Sequence, residues 1–109
     1  MCRALKVLCV ASDRQTLTEM KRAAVSAEWE LAPGAITEVD ALAQLDAEQP
    51  HVLVVFGEFE SLVSRAREGR PSLRIVCDRE LPGATAVVGR PGEIRDAVRA
   101  LPRPGGPVR

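Results

Sequence analysis

Short unbroken apolar runs alternate along the chain with stretches in which apolar residues recur every three or four positions, and this alternation predicts the elements. LKVLCVA (Leu5–Ala11) has the continuous apolar character of a strand buried on both faces. Ser12 and Gln15 supply a serine-x-x-glutamine start signal, and Leu17, Met20 and Ala24 form the stripe of a helix over 14–27. WELAP (29–33) reads as a short strand closed by Pro33 and Gly34. Ala41, Leu42 and Leu45 mark a second helix ending near Pro50. HVLVVF (51–56) is the clearest strand, because its β-branched run suits a central position covered on both faces. A helix over 61–68 presents Leu62, Val63 and Ala66 and stops at Gly69 and Pro71. LRIVC (73–77) and TAVV (85–88) are two further strands, and Ile94, Ala97, Val98 and Leu101 mark a last helix over 93–101. Only the seven residues DRELPGA separate those two strands, too few for a crossover helix.

Strands alternating with helices imply a doubly wound, parallel α/β sheet in one domain over residues 1–101, followed by a Pro/Gly-rich tail or linker over 102–109. Chemistry on such a sheet gathers at the carboxyl ends of the strands. That rule singles out Ala11, Ser12 and Asp13, then Phe56, Gly57 and Glu58, then Cys77 and Asp78, then Gly89 and Arg90.

Composition narrows the function. Fifteen basic and fifteen acidic side chains cancel, so bulk charge draws the chain neither to nucleic acid nor to an anionic membrane surface. No run approaches the ~20 apolar residues of a membrane span, and the opening MCRALKVLCVA lacks a signal-peptide cleavage pattern. Cys2, Cys9 and Cys77 are an odd set without metal-ligand spacing, which points to a reduced, cytoplasmic protein. There is no Gly-x-Gly-x-x-Gly and no Walker lysine, which argues against a nucleotide-binding enzyme. His51 reads as a strand-entry residue, SRAREGR as a solvated helix face, and Trp29 either as a binding anchor or as packing.

Over residues 5–101, the order of elements, KVLCVASD, PHVLVVF and above all GATAVVGRPG resemble the receiver domain of bacterial response regulators. The resemblance implies a flavodoxin-like (CheY-like) five-stranded sheet of order 2-1-3-4-5, here with the helix between strands 4 and 5 missing or reduced. It places the family's strand-ending lysine and cis-proline at Arg90 and Pro91. It also implies that the phosphorylation chemistry is gone. The metal-holding acid pair falls on Ala11 and Ser12, with only Asp13 nearby, and the phosphoacceptor falls on Phe56. The hydroxyl residue falls at Cys77 or Asp78, and the aromatic switch at Val87. Arg90 is then expected to pair with Asp13, Glu58 or Asp78, carboxylates that would otherwise cap helices or hold magnesium.

These matches imply a relic pocket of Ala11, Ser12, Asp13, Phe56, Glu58, Cys77, Asp78, Arg90 and Pro91, with no cofactor and no enzymatic activity. The expected function is a phosphorylation-independent pseudo-receiver that docks on a partner protein, an attached effector domain or a second copy of itself, without contacting nucleic acid or membrane directly. Val76, Leu81, Val87, Ile94 and Val98 are the candidate interface, since the short link should leave the last two strands partly uncovered. Loss of the acids, and sometimes of this helix, is similar to the atypical receivers of pilus-assembly and polar-localisation ATPases. Two alternatives stand beside it: a small-ligand sensor using the relic pocket, and a phosphocysteine carrier, since LKVLCVAS also resembles phosphotransferase IIB domains. The carrier would need Cys9 exposed at a helix start, yet Cys9 lies two residues before the strand end and no glycine follows.

Overall fold

In the computed structural model, which describes residues 5–26, 29–70, 73–80 and 84–100, the central strand carries the architecture. The elements run β1 (Leu5–Ala11), α1 (Arg14–Ala24), β2 (Trp29–Leu31), α2 (Glu38–Glu48), β3 (Val52–Phe56), α3 (Glu60–Gly69), β4 (Arg74–Cys77), β5 (Ala86–Val87), a 3-10 turn (Pro91–Glu93) and α4 (Ile94–Ala100). All five strands are parallel, in the order β2-β1-β3-β4-β5 expected from the sequence. Between β4 and β5 the described residues contain no helix, which also agrees with expectation. None of the described helices is long and apolar enough to cross a membrane.

Side chains alternate across the sheet, so each apolar run feeds two cores. Val7, Cys9, Ala11, Val54, Phe56 and Val76 pack under α1 and α4 against Met20, Ala24, Ile94 and Val98. Leu8, Val10, Leu53, Val55, Ile75 and Cys77 pack on the other face against Leu45, Leu62, Val63 and Ala66. All five residues of β3 are buried, which is why its sequence holds no polar position.

The element edges show which local signals prevail. Asp13, not Ser12, caps α1: its carboxylate accepts the Thr16 N–H at 3.1 Å and the Thr16 hydroxyl at 2.7 Å, while Ser12 stays exposed. The capping frame thus lies one residue later than the Ser12/Gln15 frame, because Asp13 holds the extended N-cap backbone and the stronger acceptor. α1 ends at Ala24, where the indole N–H of buried Trp29 donates to the Ala24 carbonyl at 2.7 Å. Trp29 is therefore packing and not a surface anchor. Past Leu31 the chain still follows β1, with Ala32 N–H on Val7 O, Ala35 N–H on Cys9 O and Ala11 N–H on Ala35 O. Gly34 takes φ +93° in this bulge, and the Gln44 side chain holds both its N–H (3.0 Å) and its carbonyl (2.6 Å).

At the opposite end of the sheet, His51 extends the β1–β3 ladder by one rung. Its N–H donates to Lys6 O at 2.8 Å and its Nδ1 accepts the Lys6 N–H at 3.0 Å. The basic residues of α3 are engaged with acids and carbonyls, Arg65 with Glu38, Arg67 with Leu73 O and the following Arg70 with Asp46, as suits a solvated face.

Thr85 sews the returning chain onto β4: its N–H donates to Ile75 O and its hydroxyl accepts the Ile75 N–H. β4 is covered despite the missing helix: Ile75 and Cys77 pack under α2 and α3, Val76 packs under α1 and α4, and all three are fully buried. The uncovering expected from the short link is confined, among described residues, to Val87, which is 48% exposed.

Leu53→Ala should lower unfolding free energy by about 3 kcal/mol through loss of burial and the cavity left behind. His51→Ala should cost about 1 kcal/mol, because the Lys6 N–H loses its acceptor. Urea unfolding followed by circular dichroism measures both, and an equal or reversed order would refute the assigned roles.

Candidate functional site

The carboxyl ends of β1, β3, β4 and β5 form the edge at which the sequence places its chemistry. Ala11 and Phe56 lie opposite each other in register, both buried. The Phe56 ring is 7% exposed and shares its core with Ala11, Val88 and Ile94, so the position matching a phosphoacceptor is a packing position. Gly57 then turns the chain at φ +125°, and a Cβ there would come within 3.2 Å of the Phe59 ring and 3.4 Å of Ser12 Cβ. The positive φ favours glycine at this turn, and the Phe59 ring would have to shift slightly to admit a side chain.

Asp13 faces its own helix. The Thr16 hydroxyl first, and the Thr16 N–H second, hold its carboxyl below the usual aspartate range. Asp78 is the polar group that joins strand ends: its Oδ1 accepts the Gly57 N–H at 3.2 Å, and its own N–H donates to Val55 O at 3.2 Å. Arg79 grips the Asp78 carboxylate with Nε on Oδ1 (3.1 Å) and Nη2 on Oδ2 (3.3 Å), and its Nη1 lies 3.5 Å from Glu58 Oε2. Hydrogen bonding to Asp78 first, and its charge second, push the Arg79 guanidinium still further up. Beside this cluster opens a cavity of about 450 Å³ lined by Glu58, Glu60, Ser61 and Arg79.

Several expectations need correcting. Arg90 pairs with none of Asp13, Glu58 or Asp78; its side chain is 80% exposed and lies 3.8 Å from Glu93 Oε2. The reason is local. Arg90 is extended just before the 3-10 turn, and Glu93, three residues on, is held there by the Gly89 N–H at 2.7 Å. Nor is Pro91 preceded by a cis bond, since the described residues contain no cis peptide. Pro91 heads the turn, where its fixed φ and missing N–H are both favourable in the ordinary trans form. The cation of the site is Arg79, which sequence reasoning misses. The available signal is its place, two residues past β4 and next to an aspartate.

Asp13, Glu58 and Asp78 are not gathered into a metal site: no cluster of three or more metal-ligating side chains exists among the described residues. Of the candidate interface, Val76, Ile94 and Val98 are core residues, because alternation turns Val76 toward α1 and α4. Leu81 lies outside the described residues, as do the tail over 102–109 and Cys2. Only Val87 is exposed at the expected edge, among the described residues. Cys9 and Cys77 are buried in opposite cores. Burial pushes the Cys9 thiol up to about 12, and burial followed by the Asp78 charge pushes Cys77 up to about 11.

No protein-family model matches the chain, and no curated protein matches it. Solved structures do. A CheY-like response regulator receiver domain from Methanospirillum hungatei JF-1 superposes with TM-score 0.74 at 17% identity, covering 89% of this chain and 92% of its own. A chemotaxis response regulator of Vibrio cholerae gives 0.72 at 17%, covering 89% and 98%. An orphan response regulator of H. pylori gives 0.71 at 14%, covering 88% and 94%. The chain has the CheY-like receiver fold.

Two outcomes test this site. Asp13, whose folded pKa is depressed, contributes stability that is present above its unfolded pKa and is lost as pH falls through its folded pKa. Asp13→Ala should therefore lower the thermal midpoint near neutral pH, with the gap closing in acid, whereas Asp13→Asn keeps an acceptor and loses this pH dependence. Peptide mapping after iodoacetamide should find Cys9 and Cys77 unmodified in native protein and modified after denaturation. Native labelling of Cys9 would revive the phosphocysteine reading.

Proposed function

We propose that the chain is a phosphorylation-independent, receiver-like interaction module. The observation that carries this reading is the buried Phe56 ring at the end of β3, facing Ala11 across the ladder. A phosphoryl acceptor there needs a carboxylate, and a divalent cation beside it needs oxygen ligands. This edge offers a ring and a methyl group, while its one acid after β1, Asp13, is engaged by Thr16. The neighbours of the same fold are response regulators and receiver domains by name, which supports a regulatory role exercised through docking.

The docking surface on this reading is the outer edge of β5. That strand is two residues long, is paired to β4 on one side only, and presents Val87 to solvent. An unpaired strand edge with an apolar side chain favours a protein partner, a second copy included. The domain would dock constitutively, as a module inside a larger assembly or beside an effector domain.

Light scattering behind size exclusion, over a concentration series and with or without acetyl phosphate and magnesium, tests this. We expect self-association that the phosphoryl donor leaves unchanged, that Val87→Asp abolishes, and no phosphoryl mass gain on the intact protein. A constant monomer mass would remove a second copy as the occupant of this edge. Phosphorylation that changes the mass distribution would end the proposal.

A further inference from the structure

Most charges at the carboxyl edge are spent close to where they arise in sequence: Asp13 on Thr16, and Arg90 on Glu93. Asp78 differs. Its carboxylate reaches a backbone N–H 21 positions earlier in the chain, that of Gly57, at 3.2 Å. The same residue holds β3 through its main chain, by the bond from its N–H to Val55 O. One residue thus fixes the last turn of the strand with its backbone and the loop beyond it with its side chain.

The rest of that loop is tied by side chains, Glu58 to Arg79 at 3.5 Å and Phe59 by packing against the core, while its first backbone amide has Asp78. Gly57 has turned to φ +125°, a conformation outside the ladder, and its half-buried N–H depends on the Asp78 oxygen. Phe59 supplies no side-chain cap for α3, and its N–H bonds only back to Gly57 O at 3.1 Å. Asp78 in turn is oriented by the two-point grip of Arg79, and its side chain is only 21% exposed. Carboxylate, guanidinium and amide make a charge-assisted set stronger than a neutral pair.

We propose that Asp78 is a built-in latch: its carboxylate, oriented by Arg79, accepts the Gly57 N–H and pins the start of the β3–α3 loop to the end of β4. This inference stands whether or not the domain docks through β5. It assigns the edge a single resting state maintained by the chain's own residues.

Amide hydrogen exchange by NMR on the full chain tests the latch, with Gly57 compared against Val54 in the central strand. Asp78→Ala should speed Gly57 exchange about tenfold relative to Val54, the effect expected for loss of one charge-assisted hydrogen bond. Sodium formate, which matches the deleted carboxylate, should restore protection, and sodium chloride at equal ionic strength should not. Asp78→Asn keeps an oxygen acceptor but offers Arg79 no charge, and should fall between alanine and wild type. Gly57 exchange within about twofold of wild type would overturn the proposal. So would an acceleration shared equally by Val54, which would mean a loss of global stability alone, and so would failure of formate to rescue. Should Asp78→Ala not fold, the asparagine variant decides: about threefold faster exchange at Gly57 alone supports the latch, and no change refutes it.

Discussion

Val52–Phe56 lies between β1 and β4 with every side chain buried, so Val52–Val55 satisfy their backbone through two ladders, Phe56 pairs with β1 alone, and every side chain is held by packing. That double burial fixes the positions around it. The run from Val7 to Ala11 must match it on one side, residue for residue, and Arg74 to Cys77 on the other. It also bears on chemistry. An unpaired carboxylate at Phe56 would cost several kcal/mol in this surrounding, because neither Ala11 nor Val88 could stabilise its charge. The apolar closure that stabilises the sheet also leaves the last residues of β1 and β3 without a carboxylate, and the acids of this edge, Asp13, Glu58 and Asp78, stand one or two residues past the strands.

With the strand ends closed by apolar groups, the polar work moves one residue outward. Gly57 and Asp78 are the first positions past β3 and β4, and they bond to each other. Arg79 stands one step further and screens Asp78 while touching Glu58. Charge at this edge is therefore balanced within the loops, with no call on the buried strands. Asp13 and Arg90 fit the same pattern, since each is neutralised or satisfied within its own turn.

How much of this the sequence reveals depends on the range of the forces involved. Continuous apolar runs and helical stripes report burial directly, so all five strands, their helices and the short β4–β5 link are legible, with edges shifted by one to three residues. A local start signal is less exact: the Ser12/Gln15 spacing places the helix start one residue early, because the extended backbone and the carboxylate of Asp13 make that residue the cap. Contacts set by a turn are harder still. Arg90 looks like a pocket cation until the 3-10 turn brings Glu93 beside it. The role of Arg79 depends on the reach of Asp78 across 21 positions, which no spacing rule encodes. Val76 and Val87 are equally apolar in sequence. Only the phase of β4 shows that Val76 faces α4 while Val87 sits beside Cys77 on the opposite face, where α2 and α3 pack.

The short link has a cost as well as a cover. A helix between β4 and β5 would have packed over Cys77 and Val87; Thr85 instead supplies two hydrogen bonds at the mouth of β5 and leaves a two-residue strand to finish the sheet. Short edge strands with few neighbours belong to the low-stability end of a fold and open before the core does. They also resist indiscriminate pairing, because two residues offer too few backbone groups to hold a foreign strand unaided. A partner at this edge would have to add side-chain contacts at Val87 to the backbone pairing, so specificity would reside in one apolar residue flanked by exposed Thr85 and Gly89. On the reading proposed above, such an edge would be selective because it is weak, and docking there would draw its selectivity from this geometry.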